Sequence, residues 1–180
     1  MRWCISGFLF SSFGGYLLEK AFAAATAAPL QVRKCLLLLP LCPVYGLGML
    51  AVLVLPPGLR DSPWKLGFFG ALTVTAVEFA VHWLYDKLLG VQFWDYSPFK
   101  TGVAGRVCLP FSVIWGVLVV LTVQFVHPWA LMLALAVPPI LTYALLLVLT
   151  ADAFLSALVL RRGSDVELMS LRNLLHALET

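Results

Sequence analysis

Residues 129–160 read Trp129-ALMLALAVPPILTYALLLVLTADAFLSALV-Leu160, a run of 32 residues whose only charged member is Asp152. About 20 apolar residues cross the hydrocarbon core of a bilayer as a helix. The run is therefore long enough to span, with residues to spare. Pro138 and Pro139 lie inside it, and proline removes a helix hydrogen bond and collides with the preceding turn. The sequence predicts a span over about 129–152, kinked at the prolines or with its last turns outside the bilayer.

Four further apolar blocks lie upstream, at about 3–25, 35–55, 66–89 and 107–126. Hydrophobic residues make up 62% of the 180-residue chain and charged residues 12%, against about a quarter charged in an ordinary soluble domain. So little charge leaves no polar shell for a water-soluble globule. The expected fold class is all-α: a polytopic membrane helix bundle of about five transmembrane helices, residues 1–160, followed by a short amphipathic C-terminal helix over 161–180. In that tail Leu168, Leu171, Leu174, Leu175 and Leu178 repeat on one face of a 3.6-residue period. Arg2 before an apolar run and small residues at 23–28 resemble a signal peptide, but Glu19 and Lys20 interrupt the run just before any cleavage site. The block is read as a span.

The net charge is +3. Lys and Arg sit between the apolar blocks and form no continuous patch, which argues against nucleic acid as a partner and for positive loops at a membrane face. With five spans, one side collects nine of the twelve Lys and Arg residues, among them Arg33, Lys34, Lys87, Arg106 and Arg161; the other holds Arg2, Arg60 and Lys65. The positive-inside rule then sets the N-terminus outside and the C-terminus in the cytoplasm of a multi-pass cell-membrane protein. Cys4, Cys35, Cys42 and Cys108 all fall in apolar segments, without a C-x-x-C pair, and read as small buried hydrophobes.

Ionisable groups inside a bilayer are expensive and usually face a bundle interior or wet cavity. The candidates here are Glu19, Glu78, His82, Asp86, Asp95, Arg106 and Asp152. Glu78, His82 and Asp86 recur every fourth residue, so they form one polar stripe on a helix. The stripe suits a cation or proton relay, a general acid/base pair or a metal site; it equally suits interhelical hydrogen bonds that hold the bundle. Trp94-Asp95-Tyr96-Ser97 is an interfacial aromatic turn or the lip of a site in which Asp95 pairs with Arg106, whose fork also fits an anionic lipid headgroup. Pro40, Pro43, Tyr45, Gly46 and Gly48 mark a weakened helix of the kind that exposes backbone dipoles in transporters, or ordinary kinked packing. No metal site or cofactor is assigned. The chain has no G-x4-G-K-[ST], H-E-x-x-H or G-x-S-x-G.

Several of these blocks together resemble one family. Leu41-Cys42-Pro43-Val44-Tyr45-Gly46-Leu47-Gly48, Glu78-Phe79, Trp94-Asp95-Tyr96-Ser97, Gly105-Arg106-Val107-Cys108-Leu109, Trp115-Gly116 and His127-Pro128 are similar, in order, to the motifs of the putative ABC-transporter permease family (putative ABC-transporter type IV, CmpB-like). Gly102 stands where that family often has Asn. The resemblance implies a permease, and hence a separate ATPase subunit and assembly as a homo- or hetero-oligomer. An intramembrane enzyme acting on a lipid-linked substrate and a non-catalytic membrane scaffold stay open as alternatives.

The charge asymmetry makes a direct prediction. A cysteine added after Thr180 should be protected from membrane-impermeant thiol reagents in intact cells and react only after permeabilisation. Labelling in intact cells would invert the topology.

Overall fold

The computed structural model describes residues 2–25 and 36–163. The amphipathic tail expected at 164–180 and Cys35 lie outside the described residues. Helices hold 79% of what is described and the only strands are two residues long. The order is α1 (Arg2–Ala25), α2 (Pro43–Val54), α3 (Pro57–Arg60), α4 (Pro63–Leu84), the pair β1 (Gly102–Val103) and β2 (Val107–Cys108), α5 (Leu109–Leu121), α6 (His127–Ala136) and α7 (Pro139–Gly163). Helix α4 runs on through a π turn at Tyr85–Leu89, and another π turn, Thr122–Val126, joins α5 to α6.

Among the described residues three helices are long and apolar enough to cross a membrane: Pro63–Leu89, Leu109–Ala136 and Pro139–Gly163. The count of five is thus approximate. Helix α1 has the length, at 24 residues, but carries Glu19 and Lys20; α2 is short, at 12 residues. Leucine, valine and phenylalanine side chains are exposed along every long helix, Leu147 at 71% and Phe125 at 62% among them. Lipid is the environment in which such a surface carries no penalty.

Small residues set the helix packing. Gly67 and Gly70 on α4 oppose Gly116 and Val119 on α5, so closely that a Cβ on Gly116 would lie 2.9 Å from the Gly67 carbonyl oxygen. On the other side of the bundle, Gly15 of α1 lies against the Tyr45 ring, and Gly46 of α2 against Ser12 and Phe8. Without a hydrophobic driving force between helices in lipid, such close backbone approach supplies the contact energy.

The structure moves one expected boundary. The fourth and fifth spans were expected at 107–126 and 129–152, which puts a break at His127-Pro128. Helical backbone instead runs from Leu109 to Ala136, and the break lies at Val137, which is extended (φ −72°, ψ 128°) before Pro138. The reason is the proline context. Pro128 follows directly on the π turn, where i→i+5 bonding, His127 N–H to Thr122 C=O, relieves the crowding a proline ring causes in an α-helix. Pro138 has no such relief and forces Val137 out of the helical region.

The expected weakness in the second block is a true interruption. Residues 36–42 are not helical, and Pro43 opens α2 at its first turn, where a missing N–H does no harm. The unwound amides have an acceptor in Asp152 of α7, which is fully buried. Its Oδ1 accepts from Leu37 N–H (3.1 Å) and Leu38 N–H (3.0 Å), its Oδ2 from Leu38 (3.1 Å) and Leu39 (2.7 Å). Ser156, one turn on, accepts from Leu37 N–H at 2.9 Å and donates to Asp152 Oδ1 at 3.3 Å. Asp152 therefore caps an unwound stretch of backbone.

Removing that acceptor should be costly. Asp152→Ala strands the amides of Leu38 and Leu39 and leaves Leu37 N–H only Ser156 Oγ, at about 1–3 kcal/mol for each group left unsatisfied, and should lower the melting temperature of the purified protein far more than Ser156→Ala. Equal melting of the two variants would show that the carboxylate is not the anchor.

Candidate functional site

The polar stripe on α4 is built as the spacing requires, and each member meets a different partner. Glu78 and His82 are both 4% exposed. Glu78 Oε2 accepts from the Trp115 indole N–H of α5 at 2.9 Å, and Oε1 accepts from the Tyr96 hydroxyl at 3.1 Å. His82 Nε2 lies 3.0 Å from the Trp94 carbonyl oxygen. That oxygen can only accept, so Nε2 carries the proton. Asp86 sits in the π turn, half-exposed, and its Oδ2 takes a 2.9 Å ion pair from Arg106 Nη2 while Gln92 donates to Oδ1 at 3.3 Å. The Arg106 guanidinium also lies 5.4 Å from the centre of the Phe79 ring.

Everything opposite the stripe except Trp115 comes from one loop, residues 90–108. Gly90, at φ 69°, ends the π turn in the left-handed region that glycine tolerates. The chain then folds back as a hairpin whose turn, Val103 to Arg106, holds positive φ at both central residues, Ala104 (53°) and Gly105 (68°). This is the geometry of a type I′ turn. Two bonds stitch the Trp94-Asp95-Tyr96-Ser97 strip to the hairpin: Tyr96 N–H to Gly105 C=O (2.8 Å) and Trp94 indole N–H to Arg106 C=O (3.0 Å). Gly102 is required by the same fold, since a Cβ there would lie 2.6 Å from the Tyr96 carbonyl oxygen. A side chain such as Asn does not fit at that position in this chain.

Asp95 is not the partner of Arg106. Its carboxylate turns back on its own strip, where Oδ1 accepts from Ser97 N–H at 2.8 Å. The Ser97 hydroxyl and amide hold its carboxyl below the ordinary range; any stabilisation is present above the usual aspartate pKa and is lost as pH falls through the lowered value. Arg106 pairs with Asp86 because the hairpin turn presents it at the level of the π turn, one helical turn beyond His82. Burial, then the Glu78 carboxylate, pushes the Tyr96 phenol up, so it stays a neutral donor.

The other candidates divide. Glu19 joins the Glu78 cluster by relay: it accepts from the Tyr45 hydroxyl at 2.6 Å, and the Tyr45 ring stands edge-on to Trp115 at 5.2 Å. Tyr45, read as part of a broken-helix motif, thus links Glu19 to the ring that donates to Glu78. Asp152, expected beside them, is committed to Leu37–Leu39 instead. Trp115 carried no role in the sequence reading, yet it had a signal: an indole N–H inside a clean apolar span needs a buried acceptor. Among the described residues no group of three His, Cys, Asp or Glu side chains is arranged to hold a metal ion. His82 Nδ1 and Arg106 Nε are buried with no protein partner among those residues.

The family model described as Putative ABC-transporter type IV matches residues 6–157. The chain belongs to this family. No match is found among curated proteins or among solved structures. The matched range takes in both tethered segments, the unwound stretch held by Asp152 and the loop held by the α4 stripe, and ends just before the charged end of α7.

The loop tether is testable. Arg106→Ala and Asp86→Asn should each lower thermal stability modestly, as expected of a solvated pair, with the double variant no worse than either single. Lys100→Ala, an exposed neighbour on the same loop, should have no effect. Fully additive losses from Asp86 and Arg106 would mean that the pair is not coupled.

Proposed function

We propose that this chain is the membrane-spanning subunit of a transporter whose ATP hydrolysis is carried by a separate protein. Family membership and the three span-length apolar helices support that reading. The absence of a phosphate-binding loop from the sequence gives the reason for the second subunit.

The observation that carries the role of the site is the environment of Glu78. Its carboxylate is buried in the middle of a span-length helix, and its partners are two neutral donors, from α5 and from the loop. Arg106 is engaged by Asp86 instead. A buried carboxylate with no cationic partner among the described residues is suited to taking up a proton or a cation when the loop moves, and an exchange of that kind can couple a conformational change to solute movement. His82, Asp86 and Arg106 are each bound to a backbone or side-chain group of the loop or helix, which favours a positioning role for those three.

Purification of the full chain from its native membrane in mild detergent should bring down a nucleotide-binding subunit, identified by mass spectrometry, with ATP turnover in liposomes. Glu78→Gln keeps the side chain's shape, with its one oxygen free to accept from the Trp115 indole and its NH2 to donate to the Tyr96 hydroxyl, and should preserve the assembly while abolishing turnover. An assembly-competent Glu78→Gln with normal turnover would reduce Glu78 to packing. A chain that purifies alone and supports no ATP hydrolysis would overturn the subunit reading.

A further inference from the structure

A groove of about 480 Å³ runs between the π turn at the end of α4 and the last turns of α7. Its α7 wall is Phe154, Ala157, Leu158 and Arg161, at i, i+3, i+4 and i+7, a single helix face. Its other wall is Lys87, Leu88 and Leu89. The π turn shapes this wall, since its extra residue changes the direction in which Lys87 and Leu88 leave the helix. Ala157 makes the floor low. Phe154 and Leu88 stand 65% exposed at the sides.

The polarity of the groove is graded. Arg161 lies two turns, about 10 Å at 1.5 Å per residue, beyond Phe154 along α7, so one end is cationic and the other apolar. Asp86, the acidic neighbour of Lys87, is already paired with Arg106. Among the described residues neither Lys87 nor Arg161 has an ion pair. Both belong to the Lys/Arg-rich side that the positive-inside rule assigns to the cytoplasm. That leaflet carries the anionic lipids, and basic pockets between helices there recognise their headgroups.

We propose that this groove binds one anionic phospholipid, its phosphate between Lys87 and Arg161 and an acyl chain laid over Ala157 toward Phe154. The site is separate from the Glu78 cluster and independent of the transport reading. A lipid held there bridges α7 to the π turn whose Asp86 holds Arg106 of the loop, so its occupancy bears on the stability of the loop tether.

Full chain in detergent should melt higher on addition of phosphatidylglycerol, and retain that lipid in native mass spectrometry; phosphatidylcholine and free glycerol phosphate should do neither. At about 1 kcal/mol per basic residue, Lys87→Gln with Arg161→Gln should weaken phosphatidylglycerol binding roughly 25-fold. Lys65→Gln should leave it unchanged. Ala157→Leu fills the floor while keeping both charges, and should also lose the lipid response, which decides the matter if the double variant folds poorly. Equal stabilisation by phosphatidylcholine, a full response to glycerol phosphate alone, or undiminished binding in both groove variants would each overturn the proposal.

Discussion

A backbone amide stripped of water inside hydrocarbon must donate to something or cost several kcal/mol. In the non-helical stretch 36–42, Leu37, Leu38 and Leu39 meet that demand through Asp152, and Cys42 through the Ser12 carbonyl. Three consecutive amides point at one carboxylate, and Ser156 fixes the carboxylate from the next turn. Once those amides are held, Leu37 packs with Leu160 and Val91, and Leu36 and Leu41 pack with Leu149. The position of α7 against the rest of the bundle follows from a capped break in a different segment.

The α4 stripe works in the same way on the loop at 90–108. Glu78, His82 and Asp86 hold, in order along the helix, Tyr96, Trp94 and Arg106 of the loop. The loop residues are themselves cross-linked by the bonds from Tyr96 and Trp94 to the hairpin turn. A loop that would otherwise be free to leave the membrane face is folded under α4 and α5, with Phe111 stacked on Tyr96 at 4.9 Å. Two irregular segments are thus each tied to a span by ionisable side chains. What separates the two ties is the accessibility of their charge: Asp152 is saturated by amides it cannot release without unfolding, whereas Glu78 holds two side-chain donors that can swing away.

Much of this was readable from the sequence, for physical reasons. Apolar length marks a span regardless of packing, so the helix at 63–89 falls where hydropathy puts it. Four-residue spacing fixes a face, so Glu78 and His82 had to share one once α4 was helical, while Asp86 falls in the π turn that follows. Pro40 and Pro43 marked the second block as weakened or kinked, and the unwound stretch lies at and before them, whereas Gly46 and Gly48 sit inside α2. What the sequence hid were the partners, because they depend on how loops fold. Arg106 meets Asp86 rather than Asp95 only because a turn with two positive-φ residues re-aims it, and Asp95 spends its carboxylate on Ser97. Asp152 looked like one more member of an ionisable cluster; its actual partners are amides, which every residue carries and no composition reveals. The kink expected at Pro138-Pro139 is there, as the break at Val137; what stayed hidden was the continuous helix through Pro128, since a proline's effect depends on whether a π turn precedes it.

The two π turns lie at points where a helix changes its neighbours. Helix α5 packs on α4, and after Thr122–Val126 the same continuous backbone, now α6, packs on α1. Helix α4 packs on α5 and α2, and after Leu84 its π turn meets α7. An i→i+5 turn inserts one residue without breaking the hydrogen-bond ladder, which in lipid is the least costly way to change helix phase. A break of the Val137-Pro138 kind exposes polar backbone and needs a cap; a π turn needs none. The turn at Tyr85–Leu89 therefore does two things at once: it carries Asp86 out of strict register toward Arg106, and it turns Lys87 and Leu88 toward α7. The carboxylate that anchors the loop and the cation that lines the groove are adjacent residues of one turn, so any motion that unwinds the turn must disturb both.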